Sequence, residues 1–267
     1  MMSKDKQDQF ISITSNKLSV AENDWVTDKI LILKDNDNVT KFGVFFSLAS
    51  RFMSQTATNW NTKELESLEI IYPGFGNTQW TSLDIARVRL MMALHPEKNI
   101  KILSNVFEIA EMKEQASLYK GLYLLTNAED FRHQVTEGIR TNMVNVFDAI
   151  AQGNPYAITY LSEDAWNQLI LKSLFMGRKL YTIQGIDEGK NKNLATMLQD
   201  FVKERWAAGR NVSLEIWRMI DGFLRDDVKA LMMSKYFEGI EKEIIEKILD
   251  ENATISKTYW NTIGTLN

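Results

Sequence analysis

The 267-residue chain has no cysteine, two histidines and three prolines. Without a thiol it can form no disulfide, no thiolate nucleophile and no cysteine–zinc site, a composition that fits a reducing compartment. No His-Glu-x-x-His helix is present, and His95 stands alone beside Pro96. The phosphate loop GxxxxGK and the dinucleotide fingerprint GxGxxG after a strand are absent as well. No metal site and no cofactor is therefore expected. Basic runs are also missing, and the net charge is −4. Nucleic acid is not an expected partner, because phosphate backbones call for a concentrated basic surface. Long hydrophobic runs are missing too. The longest, "FGVFFSLASRFM" from Phe42 to Met53, falls well below the roughly 20 residues of a membrane helix. The first residues do not resemble a signal peptide. The expectation is a cytoplasmic protein with no membrane span.

Proline scarcity points to helix, since an interior proline costs a helix about 3 kcal/mol. Pro73, Pro96 and Pro155 all fall at breaks, in "YPGFGN", "LHPEKN" and "GNPY". Between them the apolar residues recur at helical spacing, and no alternating stretch is long enough for a sheet. The spacing predicts an all-α, compact array of about ten to twelve helices with some HEAT-like solenoid character. A polar leader is expected over residues 1–22, one domain over 23–250 and a polar tail over 251–267. In the second half, Phe131, Val135, Ile139, Met143, Val146 and Ile150 form one stripe, which predicts a single helix from Glu129 to Gln152. Ser82, Ser162, Asn193 and Ser213 are expected helix caps.

Some polar residues break these patterns. In "DFVKERWAAGR", Arg205 falls on the arc defined by Leu194, Met197, Leu198, Phe201 and Ala208. A guanidinium there needs a partner. Asp187, Asp200 and Glu204 are the candidate carboxylates for a structural pair, and an anionic ligand is the alternative. Asn142 lies on the stripe of its helix and Asn167 leans to the buried side of the next, so each amide needs partners. His133, Glu137 and Arg140 share one helical face, either as a solvated ion-pair ladder or as a group prepared for proton transfer. Asp226-Asp227 reads as a solvated acidic turn, and the tryptophans and tyrosines as packing.

The segments "EGIRTNMVNVFDAIAQGNPY", "AWNQLILKSLF", "LYTIQGID", "NLATMLQDFVKERWAAGR" and "EIWR", in this order from about Glu137 to Arg218, resemble the EboA family. "GNTQWTSLDIARVRLMMAL" resembles a weaker, earlier family segment. The family helix often reads His-Glu-Arg-Trp where this chain has Lys203-Glu204-Arg205-Trp206, so a histidine proton transfer at that point is not expected. The resemblance implies a component of the Ebo system, a metabolite pathway whose other members resemble a prenyltransferase, a metal hydrolase, an isomerase-like barrel and a dehydroquinate-synthase-like enzyme. In cyanobacteria that system is associated with delivery of sunscreen-pigment precursors to the periplasm. The family pattern includes positions matching Glu137, Arg140, Asn142, Asn154, Trp166, Asn167, Lys172, Asp187, Asn193, Asp200, Arg205, Arg210 and Arg218.

From that pattern, Glu137, Arg140, Asn142, Asn167, Lys172, Asp187, Arg205 and Arg218 are the candidate ligand-binding residues. A cleft lined by Arg140, Lys172, Arg205 and Arg218 would hold an acidic or phosphorylated metabolite through charge-assisted hydrogen bonds. The expected function is a non-catalytic accessory protein that binds a pathway metabolite or another protein of the Ebo pathway. Two alternatives stand beside it. One is a cofactor-independent enzyme using Glu137 with Asp187 or Asp200 as acid–base groups. The other is a purely structural protein–protein scaffold.

Overall fold

A computed structural model describes residues 2–35, 39–250 and 253–266. Among these residues there are sixteen α-helices and no strand, beyond one isolated bridge between Ala57 and Thr81. The all-α expectation holds, while the count of ten to twelve is too low. Two compact units make up the chain, Met1–Leu161 and Ser162–Asn267.

The first unit holds α1 (Lys4–Ser15), α2 (Val20–Asp35), α3 (Val39–Phe52), α4 (Thr62–Ile71), α5 (Ser82–Met92), α6 (Pro96–Ile109), α7 (Met112–Leu122), α8 (Arg132–Ile139), α9 (Val144–Ala151) and α10 (Tyr156–Tyr160). Its organising element is α5. Apolar residues occur on nearly every side of this helix, which suits an element enclosed by others, and all of Ser82–Met92 is buried. It packs against α1, α2, α3 and α7, and α7 packs in turn against α9. Helices grouped around a central one do not bear out the solenoid character in this unit. The helix start also differs from expectation. Thr81, not Ser82, is the N-cap, and it shares a capping box with Asp84. The threonine side chain accepts from the Asp84 amide and the Asp84 carboxylate accepts from the Thr81 amide, which satisfies two otherwise orphaned donors.

The expected leader contains α1, which buries Phe10 against Phe75 and Trp80. Tyr72 completes an aromatic cluster with ring centroids 4.9–6.3 Å apart. Such edge and offset contacts add about 0.5–1.5 kcal/mol per pair beyond burial. The single helix expected from Glu129 to Gln152 is two, α8 and α9. Thr141 Oγ1 accepts from the Met143 amide, offering the backbone a local bond in place of the helical one. Asn142 sits in this break and is exposed, so it does not belong to the apolar stripe.

The second unit holds α11 (Glu163–Phe175), α12 (Lys192–Ala207), α13 (Ile216–Ile220), α14 (Asp226–Ser234), α15 (Gly239–Leu249) and α16 (Lys257–Leu266). Ser162 caps α11 as expected. Asn191, not Asn193, caps α12, and Ser213 Oγ accepts from the Glu215 amide just before α13. The long connection from α11 to α12 packs its turn at 180–182 against α16, the helix that forms in the expected polar tail and buries Trp260. No helix among the described residues is long and apolar enough to cross a membrane.

Candidate functional site

A polar cavity of about 530 Å³ opens in the first unit beside α5, α7 and α9. Its floor is a hydrogen-bonded chain of charges. Asp84 is already fixed by the capping box, and Thr81 Oγ1 donates to its Oδ2 at 3.0 Å. Ser117 Oγ donates to Oδ1 at 2.8 Å, and Lys120 Nζ donates to Oδ2 at 3.0 Å. With the Thr81 amide, four donors surround this carboxylate. Arg87 lies one turn along α5 and is almost wholly buried. It donates to the Phe46 carbonyl (3.1 Å), the Lys113 carbonyl (3.3 Å), Ser117 Oγ (3.3 Å) and Glu114 Oε1 (3.4 Å). Burial lowers the Arg87 pKa, and the negative charges of Glu114 and Asp84 oppose that shift. The guanidinium stays charged, because an arginine starts far above neutral pH.

The close approach of α7 to α5 is what brings these groups together. A Cβ on Gly121 would meet Met91 Sδ at 2.7 Å and Val88 Cγ2 at 3.0 Å, so the glycine lets α7 approach α5 without displacing these side chains. Around the charged floor stand amides and hydroxyls from Gln55, Asn77, Thr78, Gln79, Asn145 and Gln152. Lys113 reaches Gln55 Oε1 at 3.3 Å near the exposed rim. Lys120 also donates to the Gln79 carbonyl at 2.8 Å and lies 5.6 Å from the Trp80 ring centroid, a distance at which a cation is attracted by the π face. The site is thus a wet, multi-donor cleft with three cationic side chains and two aspartates in its lining. Asp84 Oδ2 is engaged by three donors and Oδ1 by the Ser117 hydroxyl, so this carboxylate anchors the floor of the site.

None of the eight residues singled out from the sequence lines this cavity. Glu137 and Arg140 are brought together, with Arg140 Nη1 at 3.0 Å from Glu137 Oε1. Both are exposed and line a shallow pocket of about 270 Å³ with Tyr119 and Gln134. His133 is exposed on the same helix. Asn167, Asp187 and Arg218 belong to a different arrangement in the second unit. Arg218 is fully buried and clasps both Asp187 oxygens, at 2.8 and 2.7 Å, with a further bond to Asn261. Burial acts to raise the Asp187 pKa, but the hydrogen bonds and charge of Arg218 outweigh it and the net shift is downward. Asn167 exchanges amide bonds with Asn191, and Trp166 Nε1 donates to the Gly189 carbonyl. Glu215 accepts from the Leu180 and Tyr181 amides. These contacts tie the 176–191 connection to the flanking helices.

Arg205 pairs with none of the three carboxylates considered for it. The buried face of α12 is Leu194, Ala195, Leu198, Gln199 and Val202, while Met197 is exposed. The centre of the stripe is therefore shifted, which leaves Arg205 towards its edge and half-buried. Its Nε and Nη2 donate to the Asn211 carbonyl, at 3.1 and 2.9 Å, which closes the turn after the helix. Asp200 pairs instead with Arg225 at 2.6 Å, and Asp227 with Lys203 and Arg225 at 2.7 Å each. Asn154 holds the connection after α9 by donating to the Tyr119 and Ala149 carbonyls. Lys172 is half-buried, and that desolvation lowers its pKa. Among the described residues, no group of three or more His, Asp or Glu is placed to hold a metal ion.

The polar cleft was open to detection in the sequence. Thr81-x-x-Asp84 has capping-box spacing, and Arg87 and Arg89 interrupt an otherwise apolar helix in the same way that drew attention to Arg205. The partners on α7 had no comparable signal, because Ser117 and Lys120 are ordinary residues for an amphipathic helix.

The model of the family described as metabolite traffic protein EboA matches residues 7–221, and the chain belongs to that family. No curated protein and no solved structure matches it significantly.

Proposed function

We propose that this chain is a cytoplasmic accessory protein that binds an anionic, polyhydroxylated metabolite in the α5–α7–α9 cleft and hands it on without transforming it. The family's role in metabolite traffic gives the context. The observation that carries the reading is the cleft itself. It combines Arg87, Lys113 and Lys120 with a wall of amides and hydroxyls, the donor set that recognises a phosphate or carboxylate on a sugar-like body. Its volume of about 530 Å³ lies within the roughly 300–1,000 Å³ of small-molecule sites. Ebo-pathway proteins are the natural donors and acceptors for such cargo. Arg87 and Lys120 already meet Glu114 and Asp84, as Arg218 meets Asp187, so Lys113, which donates to the neutral Gln55 amide near the rim, is the cation on which the reading turns.

The test is a thermal-shift titration with glucose 6-phosphate and with glucose, on the wild type and on Lys113→Gln. A ligand at about 100 times its Kd stabilises the folded state by about 2.7 kcal/mol. The expected result is a rise in Tm with the phosphate, a smaller rise with glucose and a weakened response in the variant. Equal responses to phosphate and glucose, or a phosphate response that survives Lys113→Gln unchanged, would remove the cleft as the anion receptor.

A further inference from the structure

A second cavity of about 560 Å³ in the first unit has a different chemistry. Half of its lining residues are apolar, among them Ile11 from α1, Ile30 and Leu33 from α2, Met92 from α5 and Leu125 after α7, and Lys4, Gln7, Asp8 and His95 share the walls. Into this lining α5 places Arg89, which is 7% exposed. Its Nη1 donates to Asn23 Oδ1 at 2.7 Å, while its Nε is buried without an acceptor. No carboxylate pairs with it among the described residues. The other two buried arginines each meet one, Glu114 for Arg87 and Asp187 for Arg218. Burial lowers the Arg89 pKa, and no neighbouring charge opposes the shift.

Local structure offers the cation little else. Arg89 lies in the last turn of α5, where the helix dipole favours positive charge only weakly. Asn99 and Asn127 lie close by, but their amides are bonded reciprocally at 2.9 and 3.0 Å. Asp8 at the rim is engaged by Lys4 at 3.4 Å, and both are well exposed. A buried guanidinium without a counter-charge is costly, and here it lies beside space large enough for a small molecule.

We propose that this cavity is a second ligand site, which takes an organic acid with an apolar, ring-sized body and sets its carboxylate against Arg89. The planar guanidinium matches a carboxylate in shape as well as charge. Ile11, Ile30, Leu33 and Met92 would cover the apolar body, and exposed Lys34 adds positive charge at the rim. The site is distinct from the polar cleft, since Arg87 and Arg89 stand two positions apart and leave α5 about 200° from each other.

Isothermal titration of the intact chain with indole-3-carboxylate, and with its neutral analogue indole-3-carboxamide, tests the proposal. The acid is expected to bind, and the amide to bind at least about tenfold more weakly because it cannot form the charge-assisted pair. Ile11→Trp, which adds bulk to the apolar wall and leaves the arginine in place, is expected to weaken the acid by about tenfold or more. Arg89→Gln is expected to bind acid and amide alike. Equal affinity of the wild type for the two probes, no heat with the acid up to about 10 mM, or unchanged binding by Ile11→Trp would each overturn it. The amide comparison needs no variant, so a failure of Arg89→Gln to fold leaves the test decisive.

Discussion

Arg87 and Arg89 stand two residues apart on the same buried helix, and only Arg87 has a carboxylate partner. Their truncations should therefore differ in stability. Arg87→Met strands Glu114 and removes bonds to two backbone carbonyls. Breaking one side of a buried pair costs about 3–5 kcal/mol, and about 3 kcal/mol is expected here because Glu114 can still reach water. Arg89→Met loses one hydrogen bond and strands no charge, so a loss below about 1 kcal/mol is expected. Urea denaturation followed by tryptophan fluorescence would compare the two. Equal losses would mean that Arg89 has a structural partner in solution.

Asp187 should govern part of the acid stability of the second unit. Its pKa lies below its ordinary value of 3.8 because Arg218 outweighs the effect of burial. A depressed carboxylate contributes stability that is fully present above the unfolded pKa and is lost as pH falls through the folded one. The expected window thus begins near pH 3.8 and extends downward. Asp187→Asn should lower stability at pH 7 by about 3 kcal/mol, since it leaves the buried Arg218 without its counter-charge. The same variant should show a flatter loss of stability below the window's upper edge. Thermal melts of both proteins across pH 2–7 would read this. Parallel acid limbs would mean that another carboxylate carries the dependence.

Gly74 and Gly153 meet backbone to backbone, each with positive φ, at +89° and +59°. A Cβ on Gly153 would run into the Gly74 carbonyl oxygen, and one on Gly74 would lie 2.9 Å from the Gly153 carbonyl oxygen. These obstacles are main-chain atoms, so no side chain can swing away to relieve them. Gly153→Ala adds about 1–3 kcal/mol of left-handed strain to the clash. A total loss above about 3 kcal/mol is expected, which chemical denaturation would measure. The loop that carries Asn77, Thr78 and Gln79 into the polar cleft follows directly on Gly74. Binding at that cleft should weaken along with stability.

The helical class was legible because helical spacing of apolar residues persists between prolines that fall only at breaks. The number of helices was not, because two turns can be ended by a single side-chain bond. Thr141 breaks the Glu129–Gln152 segment without a proline or a terminal glycine. The site was less legible still. A wheel locates the face a residue occupies on its own helix, but not which helix arrives opposite. Asp187 and Arg218 were both picked out as polar residues of the family pattern, yet their bond spans 31 positions. Asp84, Ser117 and Lys120 meet where α7 packs against α5, an approach Gly121 eases, and spacing within either helix carries no trace of it.

Arg205 shows the limit of the wheel most directly, and a pair of substitutions would check its role. The buried arc of α12 is set by Ala195, Gln199 and Val202 as much as by the leucines, so the arginine lies at its edge. There it is half-buried and binds the Asn211 carbonyl through two nitrogens. Hydrogen bonds of this kind contribute about 0.5–1.5 kcal/mol net, and Arg205→Met should cost about 1 kcal/mol. The neighbouring Trp206 packs at a tilt against Trp217 and Phe237, each with centroids 5.6 Å away. Trp206→Ala should therefore cost more, about 2 kcal/mol, through lost apolar burial. Denaturation midpoints for the two variants would rank them. A larger loss from Arg205 than from Trp206 would mean that the turn after α12 is held mainly by the guanidinium, and that the bond to Asn211 matters more than the aromatic cluster beside it.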